Sequence, residues 1–126
     1  MNYQQARDYL LGLPEAREGF PFGPDVAVMK IGDKMFATLA LHEGSPRSNL
    51  KCDPDEALML RDIFTGVIPG YHMNKRHWNT VLLDSDVPNS EIERMMDRSY
   101  ALVVKSLKKQ QREALVLAYG SDAVFR

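Results

Sequence analysis

The residues best suited to chemistry lie together in one segment, from Gly70 to Leu83. Its sequence, GYHMNKRHWNTVLL, holds two of the three histidines, the only tryptophan, a Lys-Arg pair and two asparagines, and no acidic residue. Three kinds of role are open to such a segment. It can contact nucleic acid, it can form a metal or acid–base site, or its polar groups can hold a loop in place.

Nucleic-acid contact is the role that uses most of these side chains. Lys75 and Arg76 can neutralise phosphates, and the asparagines and histidines can hydrogen-bond to phosphate or to base edges. Further cations come from residues 47–52, where strand alternation puts Arg47 and Lys51 on a polar face. The predicted nucleic-acid-binding residues are Arg47, Lys51, His72, Asn74, Lys75, Arg76, His77 and Asn79.

The metal or acid–base role depends on His72 and His77. Their spacing of five suits neither one helix face nor one strand face, and the nearest acid is Asp84. Such a set is poor in the ligands that a closed or open metal site needs. We therefore predict no catalytic residue, no metal and no cofactor.

The structural role is a further alternative for the same segment. Asn74 and His77 can fix a loop by hydrogen-bonding to the backbone, as polar loop residues often do. Trp78 can fill the core while its N–H finds a local acceptor. This role is compatible with nucleic-acid contact at neighbouring residues.

Length and charge limit the class of protein. The chain has 126 residues with 44% hydrophobic content, which suits one domain with a modest core. The net charge of −1 argues against a protein that coats nucleic acid by bulk charge. The charges are nevertheless segregated, because 98–112 holds five cations and no acid while 84–97 holds five acids and one arginine.

The expected location is the cytoplasm. No apolar run approaches the roughly 20 residues needed to span a bilayer, and the N-terminal MNYQQARDYLL lacks the features of a signal peptide. The single cysteine, Cys52, cannot form an internal disulfide. It alternates with the apolar residues of its segment, so we expect a buried structural thiol rather than a nucleophile.

Hydrophobic periodicity and the positions of glycine, proline and capping residues predict a helix, a hairpin, a strand, a helix, two strands and two helices. The helix after Cys52 has the clearest start, because Asp53 can cap it, Pro54 suits its first position and Glu56 completes a capping-box-like pattern. The predicted helices are 2–11, 54 to about 65, about 90–107 and 109–118, and the predicted strands are 26–31, 34–41, 47–52, 67–71 and 78–83.

Three local expectations accompany this pattern. Met35, Ala37, Leu39 and Leu41 are expected to face the core, opposite Phe36 and its alternates. Ser90 and Glu93 offer a second capping box. Phe20 and Phe22, in the proline-rich loop 14–25, are expected to anchor that loop to the core, with a ligand-facing aromatic pair as the alternative.

The fold class that follows is α+β. Because short turns join the early strands, the sheet should be mainly antiparallel, with helices packed on it as a two-layer sandwich. We predict one domain over residues 1–118 and a C-terminal tail over 119–126.

The order and spacing of several motifs resemble the MmcQ/YjbR family of small bacterial proteins, from about Met1 to Leu117. The motifs are Asn49-Leu50-Lys51-Cys52 before the capped helix, Gly70-Tyr71-His72-Met73-Asn74-Lys75, His77-Trp78-Asn79-Thr80-Val81, and Ser99-Tyr100 with Val103.

The resemblance implies a compact α/β sandwich, the "double wing", grouped near CyaY-like folds. This fold is similar to the DNA-binding domain of a phage transcription factor. The family resemblance implies no enzyme activity for this chain. The expected function is therefore that of a non-enzymatic, cytoplasmic DNA-binding protein, with double-stranded DNA as the expected partner. The alternative is a protein- or small-ligand-binding module with no nucleic-acid role.

Overall fold

A six-stranded antiparallel sheet with helices on one face forms the architecture of the computed structural model, which describes residues 1–126. The strands are β1 Arg17–Gly19, β2 Val26–Ile31, β3 Lys34–His42, β4 Ser45–Lys51, β5 Val67–Pro69 and β6 Trp78–Leu82. Their order across the sheet is β1-β2-β3-β4-β6-β5, and every neighbouring pair is antiparallel. The predicted α+β class and mainly antiparallel sheet are confirmed.

The helices are α1 Tyr3–Leu11, α2 Pro54–Ile63, α3 Asn89–Lys105, α4 Lys109–Tyr119 and α5 Ser121–Val124. All five contribute to one apolar core against the sheet, which includes Leu10, Leu60, Tyr100, Leu115 and Val124. The apolar stripe of α3 packs as its helical spacing predicts, with Ile92, Met96 and Val103 buried. None of the helices combines the length and the apolar character needed to cross a membrane.

The opposite face of the sheet carries no helix, and we call it the open face. Cross-strand partners share a face, so the pairs Val26–Ala40, Ala40–Arg47, Asn49–Thr80 and Lys51–Trp78 identify it. The side chains between them along β4, Ser48 and Leu50, are buried toward the helices. The alternation predicted for 47–52 is therefore present, and Arg47 and Lys51 point away from the main core.

One residue breaks the alternation predicted for β3. The register pairs Met29 with Ala37 and Lys30 with Met35, which leaves Phe36 without a partner in a β-bulge. Phe36 consequently joins the core, where its ring meets that of Tyr100 edge-on at 5.3 Å and 88°. Two other residues expected in the core are not there. Met35 pairs with Lys30 and so lies on the opposite side of the sheet from Ala37, and Leu41 is exposed near the end of the strand.

The two predicted capping boxes differ from the structure. Asp53 does cap α2 through Asp55 N–H, but Glu56 binds Arg94 at 2.9 Å and Arg98 at 3.1 Å. At α3 the prediction of Ser90 and Glu93 was wrong. The cap position is Pro88, two residues before Ser90, and no side chain caps the helix there. The Pro88 carbonyl accepts from Glu91 and Ile92 N–H, as the carbonyl at a helix cap ordinarily does.

Two further segments differ from expectation. Residues 17–19, inside the predicted loop 14–25, form β1 by pairing with 28–30. The predicted tail is part of the domain, because Gly120 turns the chain at φ +86° and Val124 is then only 1% exposed. A positive φ of this kind is one that glycine adopts without strain.

Candidate functional site

The loop formed by residues 70–77 folds over the open face and is held there by three polar residues. Tyr71 N–H donates to Thr80 Oγ1 at 2.9 Å, and Asn49 Nδ2 donates to the Tyr71 carbonyl at 3.3 Å. The Thr80 hydroxyl in turn donates to Asn49 Oδ1 at 2.5 Å. These bonds tie the start of the loop to β4 and β6, so the position of Tyr71 is set by the sheet.

The other end of the loop is held by Arg61, which lies on α2. Its Nε donates to Asn79 Oδ1 at 2.6 Å, and its Nη2 donates to the carbonyls of Lys75 and Trp78. Asn79 Nδ2 donates to the Ala57 carbonyl, and Asn79 is only 2% exposed. Asn79 was predicted as a binding residue, but burial and these bonds leave its side chain no access to a ligand.

Between this loop, the open face and the loop before β2 lies a cleft of about 460 Å³, which we call the ligand cleft. Cross-strand neighbours on β3 and β4 form its base, and residues 71–73 form one wall. Its lining residues are Phe22, Asp25, Val26, Thr38, Ala40, Leu41, His42, Arg47, Asn49, Tyr71, His72 and Met73. Half of these side chains are apolar, and the cationic group among them is Arg47.

Arg47 is the unusual group of the ligand cleft. Its Nε is buried and has no hydrogen-bond partner, the one such side-chain atom in the chain. Its guanidinium also forms no ion pair, whereas Arg7 and Arg94 are paired with carboxylates. A buried donor without a partner is costly, and native proteins rarely retain one without a reason.

Aromatic side chains stand at the mouth of the ligand cleft. Phe22 is 70% exposed and Tyr71 is 56% exposed, and the His72 ring lies 4.0 Å from the Tyr71 ring between centroids. His72 has φ +58°, a left-handed conformation that is uncommon outside glycine and that clusters at functional sites. Phe20 and Phe22 do not anchor their loop to the core as predicted, because both are exposed.

The segment Asn74–Arg76, which we call the cationic loop, is the exposed tip of residues 70–77. Asn74 Oδ1 accepts from Arg76 N–H at 2.9 Å, which shapes the tip as an Asx turn. Lys75 and Arg76 form no ion pair with any carboxylate. Both cations are therefore free for an anionic partner.

Two of the remaining predicted residues line the ligand cleft, and two belong to neither feature. Arg47 and His72 line the ligand cleft, and Lys51 is half-buried on the open face beside Trp78. His77 is half-buried, and its carbonyl accepts from Cys52 N–H at 2.8 Å. Trp78 is only 9% exposed, so it is not available for stacking on a base.

A metal site finds no support in this arrangement. Nowhere in the chain do three or more His, Cys, Asp or Glu side chains come together in a group that could hold an ion. His72 lines the ligand cleft, whereas His77 does not. The two histidines therefore do not converge on one centre.

Sequence reasoning missed Arg61 and the cleft residues Thr38 and Asp25. Arg61 gives no local signal, because its partners lie 14 to 18 residues further along the chain. Phe22 did give a local sequence signal, because a large aromatic residue in a loop rich in proline and glycine can be a surface contact as well as an anchor.

Comparison with known proteins identifies relatives over most of the chain. It is 35% identical over 111 residues to YbdF of Escherichia coli O157:H7, covering 88% of this chain and 91% of that one. It is 33% identical over 116 residues to YjbR of E. coli K12, covering 92% and 98%. Both relatives match it along nearly their whole length.

Solved structures agree with the sequence relatives. A crystal structure of Deinococcus radiodurans protein DR2400, with the family domain DUF419, superimposes with a TM-score of 0.81 at 34% identity, covering 89% of this chain and 86% of that one. A Pseudomonas syringae protein gives a TM-score of 0.73 at 32% identity, covering 81% and 98%. The YjbR family model matches residues 11–102, and with it the open face, the ligand cleft and the cationic loop, so the chain belongs to the YjbR family.

Proposed function

We propose that this chain is a binding protein, not an enzyme, and that its ligand cleft takes a small anionic molecule on Arg47. The observation that carries the proposal is the buried Arg47 Nε without a hydrogen-bond partner, in a cleft where no carboxylate pairs with the guanidinium. A ligand carboxylate or phosphate would bind the two Nη groups of the same guanidinium, which are not buried and have no hydrogen-bond partner in the chain.

The chemistry of arginine supports an anion rather than a neutral ligand. A guanidinium presents a planar fork of donors that matches a carboxylate or phosphate with two parallel bonds. A hydrogen bond from a charged group such as this guanidinium contributes about 1.5–3 kcal/mol, which an anion would gain at the accessible Nη groups. The apolar side chains that line the cleft lower the local polarity around Arg47, which strengthens the attraction.

The shape of the cleft supports a small molecule rather than a macromolecule as its occupant. Small-molecule sites are concave, about 300–1,000 Å³ in volume, and mostly apolar with a few convergent polar groups. The ligand cleft, at about 460 Å³, has this character.

The test is an NMR titration of protein labelled at arginine, which reports the Nε–H of each arginine separately. Adding monocarboxylates and monophosphates should shift the Arg47 Nε–H signal in a saturable way. Arg47→Gln should weaken binding at least about tenfold, as expected for loss of a charged hydrogen bond. Arg17→Gln, a matched charge change on β1, should leave affinity unchanged. If no anion in the panel perturbs Arg47 at millimolar concentration, the proposal fails.

A second candidate function is contact with double-stranded DNA through the cationic loop. The observation that favours it is the exposure of Lys75 and Arg76 without carboxylate partners, next to Asn74. Lys51 points to the same side of the sheet. In this role Lys75 and Arg76 contact phosphates while Asn74 lies nearer the bases.

This candidate is tested by binding a fluorescent duplex across a salt series. Lys75→Ala/Arg76→Ala should weaken binding and reduce the slope against log salt by roughly 0.9 per lost phosphate contact. The matched control is Lys108→Ala/Lys109→Ala, which removes the same charge at the start of α4 and should leave the slope unchanged. Absence of binding at about 50 mM salt, where even non-specific contacts register, would reject DNA.

We place either activity in the cytoplasm. The single cysteine, Cys52, is free and half-buried, which suits a reducing compartment. Fractionation of cells that express the full chain, with detection by antibody, checks this location. Recovery in the membrane or secreted fraction would contradict it.

A further inference from the structure

The rings at the mouth of the ligand cleft are exposed although the cleft behind them is largely apolar. Phe22 and Tyr71 belong to different loops and both line the cleft, and the His72 ring is set against that of Tyr71. Large aromatic side chains usually bury most of their surface. Two that remain exposed at the edge of one concavity mark a surface on which something packs.

The backbone position of Tyr71 is fixed before any ligand arrives. Its N–H and carbonyl are both bonded, to Thr80 and Asn49, and the next residue holds a left-handed backbone. The same Asn49 lines the ligand cleft near Arg47. The backbone segments that carry the Tyr71 ring and the Arg47 guanidinium are therefore held on one scaffold, and a pre-organised backbone loses little entropy when a ligand docks.

The charges of the cleft restrict the ligand further. Arg47 offers one unpaired cation, and Asp25, which forms no ion pair, offers a carboxylate near the rim. A ligand with anionic groups at both ends would meet Asp25 and be repelled. The arrangement suits one anionic end at Arg47 and a neutral body toward the rim.

We propose that the ligand of this cleft carries a flat aromatic ring, which stacks against Tyr71 while its single carboxylate or phosphate group binds Arg47. The proposal rests on the proposed function of the cleft and names its ligand class. Aromatic rings stack on one another in offset or edge-on geometry, with energy beyond that of apolar burial. Aryl carboxylates and mononucleotides share this chemistry.

The experiment compares three probes by calorimetry: 2-naphthoate, adenosine monophosphate and cyclohexanecarboxylate. The last keeps the carboxylate and an apolar ring but has no aromatic face. We expect at least one aromatic probe to bind more tightly than cyclohexanecarboxylate. Preference for 2-naphthoate would assign an aryl carboxylate, and preference for adenosine monophosphate would assign a nucleotide.

Two variants separate the ring from the anion. Tyr71→Leu keeps an apolar side chain, and it should weaken the preferred aromatic probe about two- to tenfold while leaving cyclohexanecarboxylate unchanged. Arg47→Gln should weaken every probe. Tyr119→Leu is a matched change of an exposed tyrosine on α4, and it should leave the affinity for every probe unchanged. Circular dichroism should show that all three variants are folded.

The outcomes distinguish the aromatic ligand from the anion site on which it rests. The aromatic ligand would be overturned if all three probes bound equally and Tyr71→Leu had no effect. If Arg47→Gln still weakened every probe, the anion site would be supported. Failure of every probe to bind at millimolar concentration would overturn both.

Discussion

Arg61 on α2 donates from Nε to Asn79 Oδ1 on β6 at 2.6 Å, and this bond joins the capped helix to the end of the loop that bounds the ligand cleft. The same guanidinium reaches the carbonyls of Lys75 and Trp78, so one side chain holds both the strand and the loop that precedes it. Arg61 does not line the ligand cleft, and it contacts the exposed tip only at the Lys75 carbonyl, but it positions both.

Replacing Arg61 by methionine should therefore destabilise the domain. The change leaves Asn79 Oδ1 without its donor, whereas the Trp78 carbonyl keeps its bond from Gly70 N–H at 3.0 Å. One unsatisfied buried group costs about 1–3 kcal/mol. We expect a loss of roughly 2 kcal/mol in urea unfolding, and faster hydrogen exchange at the amides of residues 71–77. Arg17→Met, which loses one exposed bond to Gly32, should change stability by less than about 0.5 kcal/mol. Equal effects from both would contradict the anchoring role.

Gly70 is the point where the loop passes closest to β6. A Cβ there would stand 2.8 Å from the Trp78 carbonyl oxygen and 2.9 Å from Trp78 Cβ, which is too close for either to remain in place. Gly70→Ala should cost about 1–3 kcal/mol by overpacking and should displace Tyr71 from the cleft mouth. Gly19→Ala provides the control, since a Cβ on β1 meets no atom within 4 Å. Unfolding curves that coincide for Gly70→Ala and wild type would show that the loop moves freely.

Cys52 should react slowly with alkylating reagents. Burial, followed by the charges of Glu56 and Asp53, raises the pKa of its thiol to about 11. At pH 8 the thiolate is then on the order of one molecule in a thousand, against about a quarter for a free cysteine of ordinary pKa. Iodoacetamide labelling followed by mass spectrometry should be at least tenfold slower in the native protein than in urea. Matching rates would show that the thiol is accessible and not perturbed.

Asp86 should make the stability of the domain depend on pH in the acidic range. Its carboxylate accepts from Gly66 N–H at 2.7 Å and Thr65 N–H at 2.8 Å, and these bonds lower its pKa below the ordinary value of 3.8. Because the folded pKa is depressed, this stabilisation is present above about pH 4 and is lost as pH falls through the lower folded pKa.

Asp86→Asn should therefore unfold at a lower urea concentration than wild type at pH 7, and the difference should shrink below pH 4. Asp84→Asn, two residues earlier in the same turn, serves as the control because Asp84 accepts no such pair of amides. A difference between Asp86→Asn and wild type that persists unchanged at pH 3 would contradict the role of the charged carboxylate.

The sequence by itself determined the features that depend on near neighbours along the chain. The apolar stripe of α3 and the alternation that points Arg47 away from the helices follow from periods of 3.6 and two residues. The Asp53 cap follows from the capping chemistry of the residues at the helix start. The polar and cationic character of Asn74–Arg76 was likewise readable, since it is a matter of composition.

Only the tertiary structure decided which of those residues are available to a ligand. The Asn79 side chain is bonded to Arg61 and is not available to a ligand. Phe36 is placed in the core by a β-bulge, and Phe22 lies at the mouth of the ligand cleft. The physical reason is that a local period tells which face a side chain occupies. It does not tell which distant loop or helix will cover that face, because long-range packing decides that. The unpaired Nε of Arg47 likewise depends on tertiary structure. Arg47 on β4 is surrounded by β3, the loop before β2 and residues 71–73, which are separate in the sequence.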